Sequence, residues 1–389
     1  MTGAISLREF IIAYNGNWIH FFIKQHVGLC MRKKDGFKFE EYRVLMQGAE
    51  ADFCVYTSED LIHIVCQNEK GSVIYLLYDG IAWKKTVLLE SRTAKPYNKH
   101  FQMTEISGHI NLLYVVENKD RLMLAHQILN GTMPLDIVDY IKKDSVPFCL
   151  ANHQETDFSV FYTNENNIPF QQTYKWSQKK FLEPIALCNY NSVKFAVKSE
   201  DGFALAVIQK TSDTNILAYC EKDKELLPVY SDCDKSIIPI ISHYCDKLYM
   251  VWTEYGNVMS SYLEGDRKWS KPMRYAKSLN RETKLYAICK NGTYEYYYGT
   301  QNEYDITLYG THDILKKPPT ETIKKINPHR NNTKYEESML IAQEKQIKLL
   351  CQELSQQRQR LSDLSEKIDE LLNAVPLADE EAIDNVLLN

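Results

Sequence analysis

No C-x-x-C pair occurs anywhere in the chain; the ten cysteines stand singly, from Cys30 to Cys351. That scatter excludes zinc-ribbon half-sites and the paired framework of a small secreted domain. It fits reduced, buried thiols acting as small hydrophobes. Long apolar runs are also missing. Nothing approaches the ~18 apolar residues of a membrane helix, and Arg8, His20 and Lys24 interrupt the early positions where an export signal would lie. The expectation is a cytoplasmic protein with no membrane partner. Neither sign of charge dominates, since 46 Lys and Arg against 51 Asp and Glu leave a net −5. A nucleic-acid partner is not expected from so balanced a chain.

Catalytic punctuation is equally thin. His100, His126, His153 and His243 show neither H-x-x-x-H nor H-E-x-x-H spacing, and Asp232-Cys233-Asp234 lacks the alternating oxygens and glycine of a calcium loop. There is no G-x-S-x-G, Walker loop or G-x-G-x-x-G. No catalytic residue, metal site or cofactor is assigned, and an enzyme is the less expected outcome. His20 and His63 hold equivalent places in similar segments, which reads as inheritance between repeats rather than as a site.

What is abundant is aromatic: 26 Tyr, 14 Phe and 5 Trp, an excess of strand-forming residues. They fall into a repeat. One set of apolar anchors lies at Phe10, Phe53, Phe101, Phe148, Phe195, Ile240 and Leu285, at intervals of 43 to 48 residues. A second set follows at Ile19, Ile62, Ile110, Phe158, Phe203, Leu248 and Thr293. Turn-forming pairs such as Asn15-Gly16, Ser107-Gly108 and Asn291-Gly292 separate the two sets, so each repeat opens with a hairpin. A third apolar run, a second turn and a fourth extended segment complete most repeats.

Four short strands repeated seven times predict an all-β fold, a seven-bladed β-propeller with four-stranded blades over residues 1–311. The physical reason is that one blade cannot bury both faces, so neighbours pack face to face and the ring closes. A large sandwich or barrel also has evenly spaced strands, but neither needs a constant interval. The last repeat is the weakest, because Pro318 and Pro319 fall where its fourth strand would run. Closure is expected to draw on the segment before Phe10.

The turn after the third run carries a resemblance. Asp79-Gly80-Ile81-Ala82-Trp83 and Gly265-Asp266-Arg267-Lys268-Trp269-Ser270-Lys271-Pro272, with the fragment Lys175-Trp176-Ser177, resemble the D-G-x-W-S-x-P signature of sialidase-like and fucose-lectin-like propellers. With the C-terminal segment described next, the chain also resembles propeller proteins of spore-forming bacteria, a likeness that implies no activity. The resemblance implies the fold. It also implies that Trp83, Trp176 and Trp269 could serve as sugar-stacking platforms, the alternative being that they are packing residues at blade edges. The sialidase Asp-box is matched by no repeat.

Beyond the repeats the composition changes. Residues 312–333 form a basic, proline-containing linker. From 334 to 373 there is no Gly or Pro, and Leu340, Ile347, Leu354, Leu361 and Ile368 recur every seven residues, with Leu350, Leu364 and Leu371 three positions after their neighbours. This seam predicts a long C-terminal α-helix in a coiled coil, with another copy of the chain as the simplest partner. Docking of a single helix on its own propeller is the alternative. Residues 374–389 read as an acidic tail.

The leading expectation is a non-enzymatic interaction or scaffold protein, its propeller binding an unidentified protein or glycan and its coiled coil making a homo-oligomer. The alternative is a carbohydrate-binding, lectin-like propeller. A second alternative, a glycosidase or lyase in the channel, needs an acidic cluster with one raised carboxyl pKa at the channel mouth.

Overall fold

A computed structural model of the chain describes residues 8–309, apart from short interior gaps, together with Leu315. The linker, the coiled-coil seam and the acidic tail all lie outside the described residues. Among the described residues there is no α-helix.

The repeats appear as successive antiparallel meanders. Repeat one comprises Arg8–Tyr14, Asn17–Lys24 and Gly28–Asp35, with Lys38–Phe39 and Arg43–Gln47 as a broken outer strand. Repeat two runs through Ala49–Ser58, Leu61–Asn68, Val73–Tyr78 and Trp83–Leu89; repeat three through Gln102–Ile106, His109–Asn118, Arg121–Ile128 and Asp136–Ile141. Repeat four has Phe148–Gln154, Asp157–Thr163 and Pro169–Lys175, with Lys180–Phe181 and Ile185–Ala186 outermost. Repeat five has Ser192–Ser199, Gly202–Lys210, Asn215–Glu221 and Leu227–Ser231. Repeat six has Ile240–Tyr244, Lys247–Glu254 and Asn257–Glu264, with Lys268–Trp269 and Met273–Arg274 outside; repeat seven has Thr283–Lys290, Thr293–Gln301 and Ile306–Leu308. The first anchors fall in first strands, Phe101 standing one residue ahead of its own, and the second anchors fall in second strands.

Turn chemistry sets the register. Asn15 and Gly16 have φ of 47° and 69°, Ser107 and Gly108 of 50° and 76°, and Tyr255 and Gly256 of 48° and 74°. Two successive positive φ values are the type I′ geometry whose twist matches the flanking strands.

These meanders occupy six sheets. Repeats two to six each form one, and repeats seven and one share an eight-stranded sheet. The join is a parallel pairing that matches Arg8–Ile12 with Leu285–Cys289, so closure uses the first strand itself from Arg8 onward. Neighbouring repeats are stapled to one another around the circuit. Phe10 packs on Phe53 at 5.1 Å, the Asp52 carboxylate accepts from the amides of Lys99 and His100, and Gln102 donates to the Phe148 carbonyl at 3.0 Å. Phe161 meets Phe203 at 5.1 Å and Tyr219 meets Trp269 at 5.4 Å.

The second strand of repeat seven reaches three other parts of the fold. Tyr294, Tyr296 and Tyr298 share one face of it, as alternate residues must. The Tyr294 hydroxyl donates to the Val55 carbonyl in repeat two, and that of Tyr298 to the Ile238 carbonyl ahead of repeat six. Tyr296 stands edge-on to Phe195 of repeat five at 5.4 Å. These rings thus pack apolar area between repeats, while the hydroxyls of Tyr294 and Tyr298 each find a carbonyl acceptor beyond their own repeat.

Candidate functional site

In a four-stranded meander the first-to-second and third-to-fourth turns lie at one end, and the second-to-third turns at the other. All three tryptophans of the resemblance lie at third-to-fourth connections, in repeats two, four and six, equally spaced along the sequence. They therefore share the end that carries the Asn15-Gly16 and Ser107-Gly108 turns.

Trp83 belongs to an aromatic cluster between repeats one and two. Its ring lies 5.1 Å from Tyr78, and Tyr78 lies 6.1 Å from Tyr14. All three rings are half-buried, and both tyrosine hydroxyls are fixed: Tyr14 donates to the Asp60 carbonyl at 2.7 Å and Tyr78 to the Gly80 carbonyl at 2.9 Å. Asp79 orders the turn beneath them, accepting from the amides of Ile81 and Ala82 at 3.1 and 3.0 Å and pairing with Lys84 at 2.8 Å. The Lys84 ammonium and those two amides hold its carboxyl far below the usual carboxylate range. Ile81, 90% exposed, crowns the turn.

Trp176 is built the same way between repeats three and four. His109 lies 4.3 Å from its ring, oriented by donating from Nδ1 to the Ser107 carbonyl at 2.9 Å, and the Lys179 ammonium stands 5.6 Å from the indole. Both rings are half-buried.

Trp269 differs. It is 7% exposed, packed on Tyr219 within the apolar cluster shared by repeats five and six, and its indole N–H has no partner. At this position the packing alternative describes the residue: the ring is buried against the neighbouring Tyr219. The sequence placed three equivalent tryptophans at equivalent turns; the structure leaves two accessible.

At the opposite end lies a cavity of about 1080 Å³, lined among others by Arg8, Glu9, Asp234, Glu254 and Lys284. Its charged wall includes a buried network that sequence reasoning missed. Lys284 donates to Glu9 Oε1 at 2.6 Å, and His20 donates from Nε2 to Glu9 Oε2 at 2.7 Å. Arg32 donates from Nε to His20 Nδ1 at 3.1 Å. An arginine Nε is always a donor, so this imidazole is neutral with its proton on Nε2. Gln301, with its amide turned to suit both neighbours, donates to Glu9 at 3.0 Å and accepts from Arg32 at 3.2 Å. Burial opposes charge on Glu9, but its hydrogen bond from His20 and the nearby Lys284 bring the carboxyl below its ordinary value; burial also pushes the His20 imidazole down. The signal that could have revealed this network was Glu9 and His20, each a polar residue beside an apolar run in its strand; Arg32 opens the charged run Arg32-Lys33-Lys34-Asp35 and gave no such signal.

The raised carboxyl that channel chemistry needs is Asp52, pushed up to about 6 by burial. It does not line the cavity, whose wall takes its neighbours Ala51 and Phe53, and its carboxylate is engaged by two backbone amides. Of the lining carboxyls, Asp234 is held below its ordinary value, chiefly by the Ser236 amide. Among the described residues no group of three or more His, Cys, Asp or Glu is placed to hold a metal ion, and no helix is long and apolar enough to cross a membrane.

No protein-family model matches the chain, and no curated protein matches it in sequence. Solved structures do match. The BP39L lectin from Burkholderia pseudomallei superposes with a TM-score of 0.52 at 8% identity, over 77% of this chain and 98% of the lectin. The fucose-specific lectin from Aleuria aurantia aligns over 79% of this chain and 97% of its own at 10% identity, with a TM-score of 0.44. The fold is a β-propeller, shared with a lectin.

Proposed function

We propose that the protein is a carbohydrate-binding, lectin-like propeller that takes sugars at the tryptophan-bearing turns, with Trp83 and Trp176 as stacking surfaces. The observation that carries the reading is the cluster of Tyr14, Tyr78 and Trp83: three half-buried rings where repeats one and two meet, with hydroxyls and a carboxylate fixed around them. A pyranose offers an apolar C–H face and a rim of hydroxyls. An aromatic face with fixed donors and acceptors beside it matches both. The propeller shared with the BP39L lectin supports the same reading.

The finer architecture is part of the proposal. We read the seven meanders as seven blades of sialidase-like kind, the first and last joined edge to edge. Residues 334–373 then supply a homo-oligomeric coiled coil, and several copies of a weak sugar site gain avidity from it. In this reading the scaffold role is the means by which glycan binding becomes strong. A cytoplasmic location remains the expectation from the sequence.

A broad glycan array probed with the full-length protein tests the proposal. Binding to a defined set of glycans, lost in Trp83→Ala or Trp176→Ala, is the expected result. Silence across the array, or binding unchanged in both variants, would contradict it.

A further inference from the structure

The tryptophan turns carry a second feature that their aromatic rings do not explain. In each of the three, exposed lysines stand within four residues of the tryptophan along the chain. Trp83 is followed by Lys84 and Lys85, Trp176 by Lys179 and Lys180, and Trp269 sits between Lys268 and Lys271. Lys84 is spoken for by Asp79. Among the described residues Lys85, Lys180, Lys268 and Lys271 make no ion pair, and Lys179 has only the Trp176 ring beside it.

From this we infer that the glycan these turns recognise is acidic: a polysaccharide carrying carboxylate or sulfate groups, whose sugar rings stack on Trp83 and Trp176 while its anions meet the flanking lysines. The inference rests on the carbohydrate-binding reading and names its substrate class.

Three arguments support it. Residues 1–311 carry a net charge of only −2, so cations recurring at three equivalent turns are a local arrangement, not the consequence of a basic protein. The lysines are exposed, where a single ion pair contributes little, and the arrangement therefore suits a ligand that repeats its charge along a chain and engages several turns together. The aromatic component also favours a glycan over duplex nucleic acid, because a double helix keeps its bases stacked and offers phosphate contacts for which an indole has no use. Trp269, though covered, keeps Lys268 and Lys271 at the surface, so the third turn contributes charge without a stacking face.

The test uses the full-length protein and three immobilised polymers: polygalacturonate for carboxylates, heparin for sulfates and dextran as the neutral control. The expected result is binding to one or both acidic polymers but not to dextran, weakening as salt rises from 0.05 to about 0.5 M. The triple variant Lys179→Gln, Lys180→Gln, Lys268→Gln should bind about ten-fold more weakly, and Trp83→Ala should weaken it as well. Retention on polygalacturonate identifies carboxylate recognition, and retention on heparin without polygalacturonate identifies sulfate recognition, since heparin carries both groups.

Preferential binding to dextran or to neutral glycans on an array, lost in Trp83→Ala, would overturn this inference and leave the carbohydrate-binding reading standing. Acidic binding unchanged in the lysine variant would overturn it too. Retention on heparin matched by retention on duplex DNA, and indifferent to Trp83→Ala, would mark simple ion exchange and reject it. No binding to any glycan would reject both.

Discussion

Arg32 donates from Nε to Nδ1 of His20 across 3.1 Å, and this one bond decides the protonation state of an imidazole with no solvent access. Replacing Arg32 by Met removes the fixed donor and a nearby positive charge, leaving Glu9 as the dominant neighbour. Imidazole nitrogen shifts measured by NMR should report the neutral Nε2–H form in the wild type and a higher pKa in Arg32→Met. The variant should also lose about 2–4 kcal/mol of stability, since a buried network is broken from one side. An imidazole that titrates identically in both proteins would contradict the assignment.

A glycine is required at position 292. Its φ is +73°, and a Cβ there would stand 2.8 Å from the Tyr56 hydroxyl, which donates to the Gly292 carbonyl at 2.9 Å. Gly292→Ala should cost about 2 kcal/mol, from left-handed backbone and displacement of that ring. A denaturant midpoint measured beside the wild type reads it directly; no change would mean that the contact between repeats two and seven is dispensable.

Acidification should weaken the fold below neutral pH. Burial pushes His63 and His126 down to about 4 and His100 to about 3, whereas an unfolded imidazole takes its proton near 6.5. The unfolded chain therefore binds more protons as pH falls from 6.5 to 4, and stability present above 6.5 is lost across that window. Asp52 acts in the opposite sense. Its folded pKa is raised to about 6, so its contribution is present at low pH and is lost as pH rises through that value. Three histidines outweigh one aspartate. Denaturant midpoints taken from pH 7.5 to 4.5 should fall, and His126→Asn should flatten the curve; a midpoint that rises on acidification would contradict the neutral, buried histidines.

The tryptophans should separate by stability. Trp269→Ala empties a space under Tyr219 and should cost about 3–5 kcal/mol. Trp83→Ala and Trp176→Ala remove half-exposed rings and should each cost under about 1.5 kcal/mol. Thermal melts of the three variants check this ordering.

Thiol chemistry offers a further check. The seven described cysteines are all buried, and burial pushes Cys54, Cys66 and Cys149 up to about 12. Iodoacetamide at neutral pH should leave Cys30, Cys54, Cys66, Cys149, Cys220, Cys233 and Cys289 unmodified until denaturant is added, as peptide mass spectrometry would show. Labelling of Cys54 in the native protein would mean that the contact between repeats two and seven opens.

Much of this architecture was legible in the residues because spacing carries it. Phe10 and Leu285, each an anchor of its repeat, lie in first strands that pair side by side at closure. The Asn15-Gly16 and Ser107-Gly108 pairs were readable as hairpins because few residues tolerate two positive φ values in succession. The site was only partly legible. Trp83, Trp176 and Trp269 sit in similar local sequence, yet each ring meets a different neighbour: Tyr78 of its own repeat for the first, His109 of the preceding repeat for the second, the covering Tyr219 of the preceding repeat for the third. His20 and His63 show the same limit. Their strand positions correspond, but one meets Glu9 and Arg32 and the other the Tyr75 hydroxyl at 2.7 Å. Such partners are tertiary, and no periodicity encodes them.

The central claim is that sugars stack on the accessible tryptophans of the turn end. Its most direct test is an equilibrium titration, followed by calorimetry, of a glycan selected on the array against the wild type, Trp83→Ala, Trp176→Ala and the conservative core variant Trp269→Phe. Affinity should fall about ten-fold or more in the first two variants, which remain folded, and be retained in Trp269→Phe. Retained affinity in both Trp83→Ala and Trp176→Ala, whatever Trp269→Phe does, would contradict it.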